Sequence, residues 1–135
     1  ISQLRKLDRF ITRRREIASK YDEILQSLPF IEPAQPERRS DSAVHIYITR
    51  IAFQDLKIER GEFMRGLMDM GVGSQVHYIP VHWQPYYKEL GYDQKACPLN
   101  NLYYEQALTL PLYYGLSDED VDSIVQALKK LLSEV

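Results

Sequence analysis

The chain has 135 residues, 44% of them hydrophobic, and a formal net charge of −2, which is the size and apolar content of one globular domain. That balance argues against a nucleic-acid binder, because basic residues cluster only locally, as Arg13-Arg14-Arg15 and Arg38-Arg39. No apolar run is long enough to span a bilayer and no signal peptide is visible, and the single Cys97 excludes an internal disulfide, so a cytoplasmic protein with no membrane partner is expected.

Residues 1–28 are predicted as one long amphipathic helix. Ile1, Leu4, Leu7, Ile11, Ile17, Ala18, Tyr21, Ile24, Leu25 and Leu28 recur near the 3.6-residue period. The opposite face carries Arg5, Arg9, Arg13, Glu16, Lys20 and Glu23. The Arg13-Arg14-Arg15 run there reads as a solvated face or a surface against another domain, with phosphate binding as the alternative. Pro29 ends the helix, and residues 29–42 read as a polar, proline-bearing connector. Val44 to Phe53, rich in β-branched and aromatic residues, reads as a strand. A second helix is predicted from Arg60 to Met70, stopped by Gly71, because glycine takes the left-handed conformation at little cost.

Ser74 to Ile79 is predicted as the next strand. Here His77, Tyr78 and His82 follow a Gly-x-Gly break and are interleaved with apolar residues, a pattern that buries one face and presents the other. Pro80 and Pro85 then stop the strand and stiffen its exit, giving the outline of a ligand wall. A short helical turn over Tyr86–Leu90, a loop to Pro98, a helix over Leu99–Ala107 and a short extended segment over Thr109–Leu112 follow. The last helix opens at Ser117, which with Asp120 forms a capping-box-like pair. Acids in its first turn and Lys129-Lys130 near its end suit the helix dipole. Helices covering a small sheet, an α+β arrangement, is the packing this order implies.

Motifs for self-sufficient catalysis are weak. No G-x-S-x-G elbow occurs, no carboxylate accompanies His77 and His82 at zinc-ligand spacing, and Gly71-x-Gly73 is not followed by a helix, so it is no phosphate loop. No catalytic or metal-ligating residue is assigned on these grounds. His77 taken alone fits a structural histidine as well as a functional one. Of ten tyrosines, eight fall between Tyr78 and Tyr114. An apolar ring with a polar tip suits a ligand wall, although most of these tyrosines can equally pack a small core under irregular loops.

Three blocks carry a resemblance: SQLRKLDRFITRRR from Ser2, GVGSQVHYIPVHWQPYY from Gly71, and ALTLPLYYGLSDEDVDSIVQAL from Ala107. In this order and rough spacing they resemble the C-terminal part of the DegT/DnrJ/StrS family of sugar-nucleotide aminotransferases, with the middle block the most specific. The resemblance covers essentially the whole chain. It implies the small domain of an aspartate-aminotransferase-type (fold type I) pyridoxal phosphate (PLP) enzyme, residues 1–135 forming that one domain. It further implies a UDP- or dTDP-linked keto-sugar as substrate, glutamate as the usual amino donor, and a homodimer with shared active sites. The branch it most resembles aminates UDP-4-keto-6-deoxy-N-acetylhexosamines for bacterial surface glycans. The family's HY pair near the bound nucleotide sugar carries over to His77 and Tyr78, with His82 in the same stretch. Chemically, His77, Tyr78 and Tyr86 supply ring faces and donors of the kind a sugar nucleotide needs, and Trp83 an apolar surface.

The family's chemistry also needs a Schiff-base lysine sheltered enough to be neutral. Lys6, Lys20, Lys129 and Lys130 sit on polar helix faces, and Lys57, Lys88 and Lys95 in polar loops or turns. The resemblance implies that the cofactor lysine and the other PLP-binding residues belong to a large domain that would precede Ile1. The opening Ile1-Ser2-Gln3-Leu4, already inside a helical pattern and without methionine, agrees with a piece of a longer polypeptide. On this reading the chain is inactive alone. The alternatives are a stand-alone, non-catalytic nucleotide-sugar-binding module, a dimerisation module in which His77 and Tyr78 merely pack, and an unrelated α+β regulatory domain.

Overall fold

Apolar spacing close to one helical turn winds Leu7–Leu25 into helix α1, preceded by a 3-10 turn at Leu4–Lys6. A computed structural model describes residues 1–93 and 95–134 and, for residues 38–40, the backbone without the side chains. The Arg38-Arg39 pair thus lies outside the described side chains. The helix closes at Leu25, four residues before Pro29, where the Ser27 hydroxyl donates to the Ile24 carbonyl at 2.7 Å and satisfies one of the terminal acceptors.

The connector expected over 29–42 contains a strand, β1 (Ile31–Pro33), and a 3-10 segment over Pro36–Asp41. Strand β2 (Tyr47–Ile51) is shorter than the predicted Val44–Phe53. Val44 has φ of +47°, outside the extended region, and Phe53 already opens a four-residue helix, α2 (Phe53–Leu56). Helix α3 (Arg60–Asp69), a short α4 (Pro85–Glu89), α5 (Pro98–Gln106), β3 (Ala107–Leu110) and α6 (Asp118–Ser133) complete the chain.

The sheet has order β1-β2-β3 and both pairings are antiparallel. Tyr47 opposes Leu110 and Thr49 opposes Leu108, while Ile48 opposes Thr109 and Arg50 opposes Ala107. Side chains alternate between faces, so Tyr47, Thr49, Ile51, Leu108 and Leu110 share one face. That face meets the core cluster of Ile17, Tyr21 and Leu25 from α1, Phe63 and Leu67 from α3, and Val121 and Leu128 from α6. The Tyr21 and Tyr47 rings lie 4.8 Å apart, and the Tyr47 hydroxyl donates to buried Asp22 Oδ1 at 2.7 Å. Burial pushes the Tyr21 phenol well up from its ordinary value, and its hydroxyl donates to the Pro111 carbonyl at 3.1 Å.

The other face carries Ile48, Arg50, Ala107 and Thr109. All four residues of β3 are buried, so this face is covered too; α5 leans on β2 there, and Arg50 pairs with its cross-strand neighbour Glu32 at 2.7 Å.

Helix α6 starts with a complete capping box. Ser117 Oγ accepts from the Asp120 N–H at 3.1 Å, and Asp120 Oδ2 accepts from the Ser117 N–H at 3.0 Å. Part of the polar face of α1 docks on this end. Arg13 pairs with Asp118 at 2.9 Å and donates to the Leu116 carbonyl at 2.8 Å, and Lys20 pairs with Asp122 at 2.8 Å. Arg15 donates to the Ser42 carbonyl at 2.9 Å. Two of the three consecutive arginines are thereby engaged within the domain.

Candidate functional site

The segment singled out in the sequence leaves α3 through a Schellman turn. Gly71 sits at φ +79°, its N–H donates to the Met68 carbonyl at 2.9 Å, and the Val72 N–H donates to the Leu67 carbonyl at 2.9 Å. Val72 is buried in the core, which fixes the direction in which the chain departs.

The strand predicted over Ser74–Ile79 does not form. A single antiparallel bridge joins Gln75 to Thr109, with N–H···O distances of 3.2 and 2.8 Å. The edge available is short: β3 is bounded by α5 on one side and on the other by Pro111, which has no N–H to offer. The alternating pattern of 74–79 therefore rests along β3 without a ladder.

Each sequence-predicted residue has a definite place. His77 is half-buried and reaches the outer face of the sheet, its Nδ1 2.9 Å from Thr109 Oγ1. Tyr78 is 76% exposed and sets its ring edge-on to His77, with centroids 4.6 Å apart. Pro80 is buried and opens a 3-10 turn over Val81–Trp83. Within it His82 is buried, its Nε2 2.9 Å from Asn101 Oδ1 on α5. Trp83 packs edge-on against Tyr104 of the same helix at 5.3 Å. Tyr86 is 64% exposed and contacts Tyr87 edge-on at 5.4 Å.

Residues 77–83 are thus tacked at three points onto the continuous stretch 101–109. His77 and Tyr78 touch one another, whereas His82 turns to a different element, α5. Tyr78 and Tyr86 present their rings outward. Sequence reasoning missed Thr109, Asn101 and Tyr104, which hold the wall. Thr109 alone had a signal, as the single hydroxyl in the apolar run Ala107–Leu112. Among the described residues, no group of three or more His, Cys, Asp or Glu side chains converges as a metal site, and no helix is long and apolar enough to cross a membrane.

The model of the DegT/DnrJ/EryC1/StrS aminotransferase family matches residues 1–129. The chain belongs to this family. It is 34% identical over 134 residues to the spore coat polysaccharide biosynthesis protein SpsC of Bacillus subtilis, covering 98% of this chain and 34% of SpsC. Among solved structures it aligns with Spr1654 of Streptococcus pneumoniae, described as a sugar aminotransferase, at 32% identity and a TM-score of 0.88, covering 98% of this chain and 33% of that one. The PMP and PLP forms of Spr1654 align at 0.87. PseC of Helicobacter pylori, an aminotransferase in pseudoaminic acid biosynthesis, aligns at 25% identity and 0.88, covering 99% and 36%. The chain therefore spans about a third of the length of these relatives. The α+β fold, with its long first helix and three-stranded sheet, is the one the resemblance implied.

Covalent attachment of PLP requires a lysine sheltered from water. All seven lysines of this chain are exposed or half-buried, and the half-buried Lys20 is paired with Asp122. Within this domain none of the seven stands in a setting sheltered from water.

Proposed function

We propose that residues 1–135 are the small, substrate-facing domain of a PLP-dependent aminotransferase. The enzyme converts a UDP- or dTDP-linked keto-sugar into an amino sugar, with glutamate as amino donor, for bacterial surface polysaccharide or glycan synthesis in the cytoplasm. The observation that carries this reading is the wall of residues 77–86, in a chain whose family is one of sugar aminotransferases. His77 is anchored from behind by Thr109, and Tyr78 and Tyr86 project outward.

In the wall, Tyr78 and Tyr86 offer apolar ring faces to the sugar or base and hydroxyls to its polar edge. His77, with one ring nitrogen engaged by Thr109, keeps the other for a ligand oxygen. His82 contributes to the same wall from its buried side by holding the turn that follows Tyr78. PLP supplies the electron sink. The lysine that bears it belongs to a large domain of the same enzyme, joined to this one, and a second subunit completes a homodimer. The 135 residues alone are inactive.

Calorimetric titration of the polypeptide bearing this domain with UDP-N-acetylglucosamine tests the wall. Tyr78→Ala is expected to weaken binding at least about threefold. A double His77→Phe, Tyr78→Phe substitution that left affinity and turnover intact would make the pair mere packing and defeat the reading.

A further inference from the structure

The wall is held by α5, and α5 is itself held at its far end by a residue outside the wall. Asn101 and Tyr104 are three apart and so lie on one helix face; they take His82 and Trp83 respectively. At the C-terminal end of α5, Arg60 of α3 donates through Nη1 to the Tyr104 carbonyl and, at 3.4 Å, to the Ala107 carbonyl. Terminal helix carbonyls lack intrahelical partners, so a cation there satisfies acceptors and complements the helix dipole. The same guanidinium lies 4.5 Å from the Tyr104 ring centroid, within cation–π range. Tyr104 is thus gripped by Arg60 at its backbone and on its ring, while the ring meets Trp83.

We infer that Arg60 is a positioning residue for the wall. It fixes Tyr104, Tyr104 fixes Trp83, and Trp83 with His82 sets the turn that orients Tyr78 and Tyr86. The guanidinium holds both carbonyls through Nη1 while its plane lies by the ring, whereas an ammonium is a compact, strongly hydrated point charge that does not stack in this way. The link from the turn to sugar-nucleotide affinity rests on the function proposed above; the link from Arg60 to Trp83 does not.

The test uses the full polypeptide that bears this domain. Arg60→Met, Arg60→Lys and Tyr104→Leu are each made with and without Trp83→Phe, so that difference emission isolates Trp83. Acrylamide quenching of Trp83 and calorimetric affinity for UDP-N-acetylglucosamine are then measured. Quenching is expected to rise in Arg60→Met, to a similar extent in Tyr104→Leu, and no further in the combined Arg60→Met, Tyr104→Leu variant. Arg60→Lys is expected to behave like Arg60→Met, and it carries the test if Arg60→Met does not fold. Affinity is expected to fall in parallel.

Unchanged Trp83 quenching in a folded Arg60 variant would overturn the inference, whatever its thermal stability. Raised quenching with unchanged affinity, in a protein where Tyr78→Ala does weaken binding, would also overturn the positioning role. Raised quenching where Tyr78→Ala has no effect would sustain the Arg60–Tyr104–Trp83 clamp and overturn the proposed ligand wall instead.

Discussion

His77 and Thr109 show how one hydroxyl converts a loop into a surface. Thr109 is buried on the outer face of the sheet, and its Oγ1 lies 2.9 Å from His77 Nδ1. Replacing it by valine keeps the shape and removes the partner. Thr109→Val should cost about 1 kcal/mol in urea denaturation; no loss would mean that His77 is held by packing alone. Asp118 makes a second residue-scale prediction. A hydrogen bond from Arg13, reinforced by that residue's charge, holds the Asp118 carboxyl below its ordinary 3.8. A depressed carboxylate contributes stability above its unfolded value and loses it as pH falls through the folded one. The stability difference between the native chain and Asp118→Asn should therefore be present above pH 3.8 and shrink as the pH drops below it. A difference that does not change with pH would contradict the ion pair.

Among the elements, α6 and the exit from α3 depend on terminal chemistry more than on their interiors. Ser117→Ala breaks the capping box and should destabilise the domain by about 1 kcal/mol. Gly71→Ala forces a Cβ into the left-handed region and should cost roughly 1 kcal/mol or more. Thermal melts of the two variants check both values. These two features were legible in the sequence because they are local: Ser-x-x-Asp ahead of an apolar stripe, and Gly after one. The long helices were legible for the same reason, as their period repeats many times. Strand β1 was not, because three residues between Pro29 and Pro36 are too few to show alternation, and its pairing with β2 is set by tertiary contact. The predicted strand over 74–79 failed in the opposite sense. Its alternation is real, but alternation reports which side chains are covered, and the hydrogen-bonding partner is limited to Thr109. Within the site, His77, Tyr78, His82 and Tyr86 stood out by residue type, whereas Asn101, Tyr104 and Arg60 are ordinary helix residues whose role appears only when α3, α5 and the loop are brought together.

At the scale of the whole molecule, the surface is unevenly finished. Ile1 is 92% exposed, Leu4 70%, Tyr78 76% and Leu99 82%, and Val81, Tyr86 and Leu90 add more exposed apolar area to the 78–99 stretch. Patches of this kind mark interaction surfaces or promote self-association. The isolated 135 residues should therefore associate, with a sedimentation-velocity mass that rises with concentration; a clean monomer at high concentration would contradict this. The same uneven surface agrees with a domain that spans about a third of its relatives' length.

On the function proposed above, this domain shapes the sugar-nucleotide side of the site and the chemistry is carried elsewhere in the enzyme. The most direct measurement is glutamate-dependent amination of a UDP-4-keto-sugar, with PLP supplied, by the 135-residue chain alone and by the longest polypeptide in which it occurs. No turnover from the 135 residues and clear turnover from the longer polypeptide is the result predicted. Sustained turnover by the 135 residues alone would contradict it, because one of their seven lysines would then have to bear the cofactor.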